Sequence, residues 1–545
     1  MKTRKLSNMA LTIAFFGILF ASCNDYLSFE KPGKTLIIDA FNYPEDAVSS
    51  VTAAYVPLQW EYGGTYFPEW FIGDVCSDDA LKGGGNLGDM ELVYDLENFK
   101  TRTDNDVLLR YYRAQYVGAF RCNLAMENVS KMDPAIFNGS EANLQNRVIG
   151  EALFLRAFYH FRLLRIFGGV PIADEVIEVQ ADWKKPRATA QEVYDFIIKD
   201  LKQAIQYLPE KNKYKTEDLG RATKGAARAL LMKTYMNNHQ YDEAKLQGDT
   251  IISSGQYALI ANYSEQFTVE GENGIESVFE TQYSDEGTGD WGGDLPTVAG
   301  WGATRGTLTV VMTRPRWANS AQGWGFNRPT QELYDEFEVG DPRRDAAIYA
   351  PTLDQVPPSD DNTTNINVYL GNRYTARKYS MMKEDTTWVS LPHETRGAIN
   401  RKDIRYADIL LLHAEACVKA AAPDLNQAKQ DLEQVRARAR AGQAILPAFP
   451  NYKGYQDNAT DLYKAIQHER RVELSMEGHR WFDLVRWGIA AEVMNNYRAT
   501  TKPQIAEHIA EFVKGKHELF PIPQEERDLN SPMEQNPGYD GAPIQ

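Results

Sequence analysis

Cysteine is scarce: Cys23, Cys76, Cys122 and Cys417 are the only four in 545 residues. Their scatter excludes a disulfide framework, and no close cysteine–histidine spacing reads as a zinc site. Positive charge is also in deficit. Against 75 acidic residues stand 59 lysines and arginines, a formal charge of −16 that becomes −19 once a leader carrying Lys2, Arg4 and Lys5 is removed. That balance excludes nucleic acid, whose phosphates demand a basic footprint, and reads as a solubility feature. No second apolar run of spanning length follows the first twenty residues. Catalytic signatures are missing too: there is no nucleophile elbow, and His468 and His479 lack the HExxH spacing. Neighbouring carboxylates such as Asp78-Asp79 or Asp360-Asp361 cannot face each other across a glycosidic bond. Neither 285–294 nor 360–365 matches a calcium loop, so no cofactor is expected, calcium being the one ion kept in view.

What is present is helix. From Arg147 to Pro171 apolar residues cover more than one side of a 3.6-residue period, with Arg156, Arg162 and Arg165 among them and Gly168-Gly169 and Pro171 as stop signals. A helix so apolar needs other helices around it, which points to a helical array. Ala190–Leu208 supplies an amphipathic partner. Residues 223–254 and 405–440 each combine small residues and an aromatic at the spacing of a tetratricopeptide hairpin, and a further candidate starts at Leu462. The repeats are separated by unequal insertions, and 545 residues exceed one ordinary compact core. Such hairpins form recognition surfaces, so function is expected on the insertions. Residues 43–60 and 108–132 also read as helices, whereas 70–99, with its LKGGGNLGD run, reads as one long loop. In the segment His468–Arg486 opposite charges stand three or four residues apart among apolar positions, which reads as a packed, salt-bridged structural helix.

The first 23 residues have a basic start, an apolar run from Met9 to Phe20 and the ending Phe20-Ala21-Ser22-Cys23. This is a secretory signal whose end resembles the lipobox of bacterial lipoproteins, making Cys23 the acylated first residue of a mature chain tethered to a membrane.

The lipobox, GEALFLRAFYHFRLLRIFGGVPI, RYADILLLHAEA, ERRVELSMEGHRWFDLVRWG, HELFPIPQEERDLN and QNPGY, in that order, resemble the SusD/RagB family of outer-membrane nutrient-binding lipoproteins. The resemblance implies a mostly α chain with a SusD-like fold: four tetratricopeptide-like helical hairpins and a large irregular, insertion-rich region. Residues 1–22 would be the signal peptide and 23–545 a single domain, with the scaffold at roughly 147–254 and 400–490 and ligand-binding insertions at roughly 70–105 and 271–395. It further implies a cell-surface protein that captures oligosaccharides, or peptides in the RagB branch, and delivers them without cleavage to a SusC-like TonB-dependent barrel.

Aromatics make up 11% of the chain, and Trp291, Trp301, Trp317 and Trp324 fall in one glycine-rich insertion. Glycine-rich chain does not easily bury four indoles, and flat sugar faces stack on such rings. Asp290, Asp294, Arg305, Arg314, Arg316 and Asn319 are nearby for hydroxyl contacts. The candidate ligand-binding residues are Asp78, Asp79, Lys82, Tyr94, Trp291, Trp301, Arg314, Trp317 and Trp324. Each indole has the bland alternative of plugging a long loop. The competing functions are the same architecture binding a peptide or another nutrient, a lipid-anchored glycoside hydrolase, and a repeat-built adaptor.

Overall fold

The computed structural model describes residues 41–61, 69–139, 142–177, 184–286, 305–316, 323–352, 368–384, 387–531 and 533–541. Cys23 and three of the four indoles, Trp291, Trp301 and Trp317, lie outside the described residues. The longer helices are α1 Pro44–Tyr55, α2 Asp106–Lys131, α3 Leu144–Phe167, α4 Ala190–Tyr207, α5 Lys224–Asn237, α6 Tyr241–Ser253, α7 Tyr406–Lys419, α8 Leu425–Arg440, α9 Ala459–Glu473 and α10 Ala490–Thr500. Among the described residues, no helix is long and apolar enough to cross a membrane.

Helix α3 is the core element that its composition predicts. From Val148 to Phe167 only Ile149 and Arg165 are not fully buried, because α2 covers one side and α4 another, with α1 also in contact. Its arginines are tolerable there because each has both a ring and a carboxylate. Arg156 pairs with Asp200 at 2.7 Å and lies 4.9 Å from the Phe196 ring, while Arg162 pairs with Glu69 at 3.0 Å over Phe158. Arg165 reaches the same Glu69 and stacks on Phe482. Such pairing offsets the cost of burying a cation. Close approach of α2 is permitted by Gly118, where a Cβ would sit 2.3 Å from the Tyr159 ring.

The array continues by contact from α4 to α5, α5 to α6, α6 to α7, and α7 to both α8 and α9. Helices α5 and α6 are joined through residues 238–240, and α7 and α8 through 420–424; connections this short make hairpins. Local signals set the ends. Thr189 caps α4 by accepting from the Glu192 amide at 3.2 Å, and Glu192 accepts in return from the Thr189 amide at 2.7 Å. Pairs α3/α4, α5/α6 and α7/α8 fall where the sequence places them. The fourth element is interrupted: α9 stops at Glu473, Met476 and Gly478 take positive φ of 60° and 78°, and a new short helix begins at Arg480.

The expectation of one long loop over 70–99 is corrected. Trp70–Gly73 is a helical turn, Ala80–Gly83 is strand β1, and Glu91–Glu97 is a helix. The further strands of four or more residues are β2 Ser277–Thr281, β3 Phe326–Pro329 and β4 Arg401–Arg405. Among the described residues the ladders are two-stranded and antiparallel; β1 pairs with β3 and β2 with β4.

Helix α9 ties the insertions to the array. From His468 to Glu473 its charges are paired, with most partners from remote segments and not from its own next turn, whereas Lys464 is exposed and pairs locally with Asp461. Glu469 meets Arg343 at 2.5 Å and Arg436 at 2.7 Å, and Arg470 meets Asp408 at 2.8 Å and Asp483 at 2.9 Å. Glu473 binds Arg405 at 2.6 Å and Arg343 at 3.0 Å, and His468 reaches Glu336 and Glu338. Arg471 takes Asp78 at 2.8 Å and Asp79 at 2.7 Å.

Candidate ligand-binding site

Two stretches expected to carry ligand contacts, the early glycine-rich segment and the central insertion, meet in the β1–β3 ladder. Its register is Ala80 with Pro329, Leu81 with Arg328, and Gly83 with Phe326. At one end the ladder is bolted to the scaffold. Asp78 also takes Arg480 at 2.8 Å, Thr330 donates its hydroxyl to the Asp78 carbonyl at 2.7 Å, and the Thr330 amide donates to the Asp79 carbonyl at 2.9 Å. Burial alone would raise Asp78, but Arg471 and Arg480 outweigh it and hold it at about 2. Asp79 is pushed up by burial, with Arg471 opposing and Asp78 adding to the rise. Both side chains are spent on ion pairs in the interior.

At the other end glycine meets glycine. Gly83 has φ of 78°, and a Cβ on it would lie 2.2 Å from the Gly325 carbonyl oxygen, which accepts from the Gly84 amide at 2.8 Å. No other residue fits that approach. Beyond it the chain turns over residues 85–89. The Asp89 carboxylate accepts from the Gly85 amide at 2.7 Å, and the Asn86 side-chain oxygen accepts from the amides of Gly88 at 2.9 Å and Asp89 at 3.1 Å. Lys82 lies fully buried beneath this turn. Its ammonium donates to the carbonyls of Gly83 at 2.9 Å, Asn86 at 3.1 Å and Asp89, between the rings of Phe326 and Tyr369. Burial lowers it to about 8, with Glu97 and Asp89 opposing.

The insertion contributes the adjoining wall. Arg314 is buried, donating to the carbonyls of Ser380 at 2.7 Å and Val389 at 2.8 Å, and its own carbonyl accepts from the Gly325 amide at 2.8 Å. Burial lowers its pKa to about 10. Exposed Arg316 lies over Gly85, 3.9 Å from Asp89, and donates to the Trp324 carbonyl at 3.3 Å. Trp324 is half-buried, its inner side against the core and its amide on the Val311 carbonyl at 2.8 Å. Tyr94, on the short helix after the turn, is half-buried beside Lys100 and His508.

Of the sequence-selected residues, Lys82, Arg314 and Trp324 therefore converge on one locus, with Asp78 and Asp79 as its anchors. Among the described residues, Asn86 and Arg316 are exposed there, and Asp89 and Trp324 are half-buried. Asn86 and Asp89 were not singled out by the sequence, although the GGGNLGD run carried the signal. An indole edge flanked by a guanidinium, an amide and a carboxylate offers one apolar face and several directional hydrogen-bonding groups, and it has no paired acid and base facing each other. A concavity of about 720 Å³ lies elsewhere, on the scaffold between 143–147 and 206–218. There Arg147 already pairs with Asp218 at 2.6 Å and lies over Tyr214.

The comparisons with known proteins agree with this architecture. The family model described as the SusD family matches residues 275–539, and one described as starch-binding associating with outer membrane matches 70–236. The curated SusD-like protein P38 of Formosa agariphila is 25% identical over 527 residues, covering 92% of this chain and 96% of its own. Among solved structures, a laminarin binding SusD-like protein is similar at 27% identity and a TM-score of 0.73, over 92% of this chain and all of that one. Surface glycan-binding protein A from Bacteroides thetaiotaomicron, in complex with laminarihexaose, is similar at 25% identity and the same TM-score, over 90% and 99%. The two family models meet on opposite strands of the β1–β3 ladder, one matching Ala80–Gly83 and the other Phe326–Pro329, so the chain is similar to the SusD family on both sides of it.

Proposed function

We propose that the protein captures oligosaccharides at the outer membrane and hands them, uncleaved, to a SusC-like TonB-dependent barrel. The observation that carries this reading is the β1–β3 ladder, which sets the half-exposed Trp324 and Arg316 beside the Asn86–Asp89 turn on a base fixed by buried ions. A sugar ring stacks on the indole while its hydroxyls bond to Asn86, Asp89 and Arg316. Trp291, Trp301, Trp317 and Tyr94 are the further candidate ligand contacts. Asp78, Asp79, Lys82 and Arg314 act by holding the backbone in place. Similarity to a laminarin binding SusD-like protein and to a surface glycan-binding protein in complex with laminarihexaose supports a glucan ligand. Acylated Cys23 tethers residues 23–545, a single domain, to the membrane.

Calorimetric titration with laminarin and starch oligosaccharides tests the reading. Trp324→Ala should weaken binding roughly tenfold, about 1.4 kcal/mol, and Arg316→Ala should also weaken it. Glycan binding unaffected by both substitutions would move the site elsewhere, and binding of peptides in place of glycans would change the ligand class. Turnover of the glycan would reject a purely binding role, and co-purification with an outer-membrane barrel checks the partner.

A further inference from the structure

Away from the ladder, the concavity of about 720 Å³ on the scaffold is lined by the start of α3 and the end of α4, together with Val48 of α1 and residues of the α4–α5 connection between 209 and 218. Its volume falls inside the range of roughly 300–1,000 Å³ that small-ligand sites occupy. The two helices come close here because α3 carries Gly150 opposite the end of α4: a Cβ on it would lie 2.9 Å from Tyr207 Cβ and 3.1 Å from Leu208 Cγ.

The lining divides into a fixed part and a free part. Tyr214 is fixed: its hydroxyl donates to the Ala222 carbonyl at 2.5 Å, and the Arg147 guanidinium lies 5.7 Å from its ring centroid. Arg147 is held in turn by Asp218, at 2.6 and 3.2 Å, and by Glu151 at 3.3 Å. Tyr207 and Leu144 are half-buried in the same lining. The free part consists of carboxamides. Asn143, Asn146 and Gln206 are exposed along the cleft, and their side chains bond to no other group among the described residues. Asn143 stands at the N-cap position of α3, where an asparagine ordinarily accepts from the first helical amides, yet its side chain makes no such bond.

We propose that this cleft is a second saccharide site, taking a neutral oligosaccharide with a hexose ring against Tyr207 and its hydroxyls on Asn143, Asn146 and Gln206. The proposal rests on the reading of the protein as a glycan binder for its ligand class alone; its residues share nothing with the ladder. The class follows from the lining. A hydroxyl is donor and acceptor at once, and a carboxamide offers both through one group, while a phenol ring gives the flat C–H face of a sugar an apolar surface. Charge argues for a neutral ligand: an anion would meet Glu217 and Asp218, and a cation would meet Arg147, Lys213 and Lys215. With two sites on one molecule, a long glycan is held at two points and stays bound when one of them lets go.

The test is calorimetric titration with laminarihexaose and maltohexaose. The parent protein should take up two equivalents, and Trp324→Ala combined with Arg316→Ala should leave one. Adding Asn146→Ala and Gln206→Ala should then weaken the remaining equivalent roughly tenfold, the worth of about two hydrogen bonds. Asn146 and Gln206 are exposed, so the circular dichroism of these variants should match the parent and separate lost binding from lost folding. A single equivalent that disappears with the ladder substitutions overturns the second site and leaves the ladder reading standing. One that disappears with Asn146→Ala and Gln206→Ala alone supports the cleft and rejects the ladder. A remaining equivalent indifferent to Asn146→Ala and Gln206→Ala overturns the proposal, and a parent protein that binds neither hexasaccharide overturns it together with the reading it rests on.

Discussion

Replacing Lys82 by methionine would remove one ammonium from under the glycine turn while keeping an unbranched side chain between Phe326 and Tyr369. Three carbonyls, those of Gly83, Asn86 and Asp89, lose their shared donor. A buried carbonyl left without a partner costs about 1–3 kcal/mol. The bonds to Asn86 and Asp89 are only partly buried, so water can reach those two oxygens, whereas the bond to Gly83 is buried. Relief from burying a charge, seen in the lowering of Lys82 to about 8, offsets part of the loss. The net expectation is a local cost of about 1–3 kcal/mol, which corresponds to roughly 5- to 150-fold faster hydrogen exchange of the amides in 83–90. Hydrogen exchange read by mass spectrometry resolves this, with peptides from α3 and α5 as internal controls that should not change. Glycan affinity should fall in parallel, since Asn86 and Asp89 are presented by the same turn. A Lys82→Met protein with parental exchange across 83–90 would refute the assignment of the ammonium as the support of the turn.

Other expectations follow from the buried ions and from close packing. Arg471→Met leaves Asp79 without its nearest cation while Asp78 keeps Arg480, and should cost about 3–5 kcal/mol in urea unfolding; Arg102→Met, which removes an exposed pair with Asp104, should leave the unfolding midpoint close to the parent's. Gly118→Ala drives a methyl into the buried Tyr159 ring and should cost about 1–3 kcal/mol, read from the same unfolding curves. Acid sensitivity has a definite sign. Asp78, Glu338 and Asp483 are each held at about 2, because neighbouring cations outweigh burial. Unfolded carboxyls titrate near 4, so the stability from these groups is present above pH about 4 and lost as pH falls towards 2; unfolding midpoints measured at pH 6, 4 and 3 should show the decline begin only near 4.

Local periodicity made the scaffold legible. Hairpins 223–254 and 405–440 end within a residue or two of their expected limits because a helix is determined by neighbours along the chain. The 70–99 stretch was misread because β1 finds its partner only at Phe326–Pro329, and nothing within the stretch announces a strand whose other half lies in a remote insertion. For α9 the sequence revealed that its charges were buried and paired, but the partners, from Asp78 to Arg436, depend on tertiary placement. Lys82 and Arg314 were chosen as polar residues in the right segments; their inward orientation is set by Phe326 and Tyr369 in one case and by the Ser380 and Val389 carbonyls in the other.

The β1–β3 ladder also sets an order of events during biosynthesis. A chain emerging from its N-terminus exposes the edge of Ala80–Gly83 long before Phe326–Pro329 exists, and the Asp78-Asp79 pair waits longer still for Arg471. Until then the nascent protein carries an unmatched strand and two uncompensated acids. Shortened forms that stop before residue 329 should therefore be prone to self-association, and no N-terminal fragment can serve as a minimal binding module.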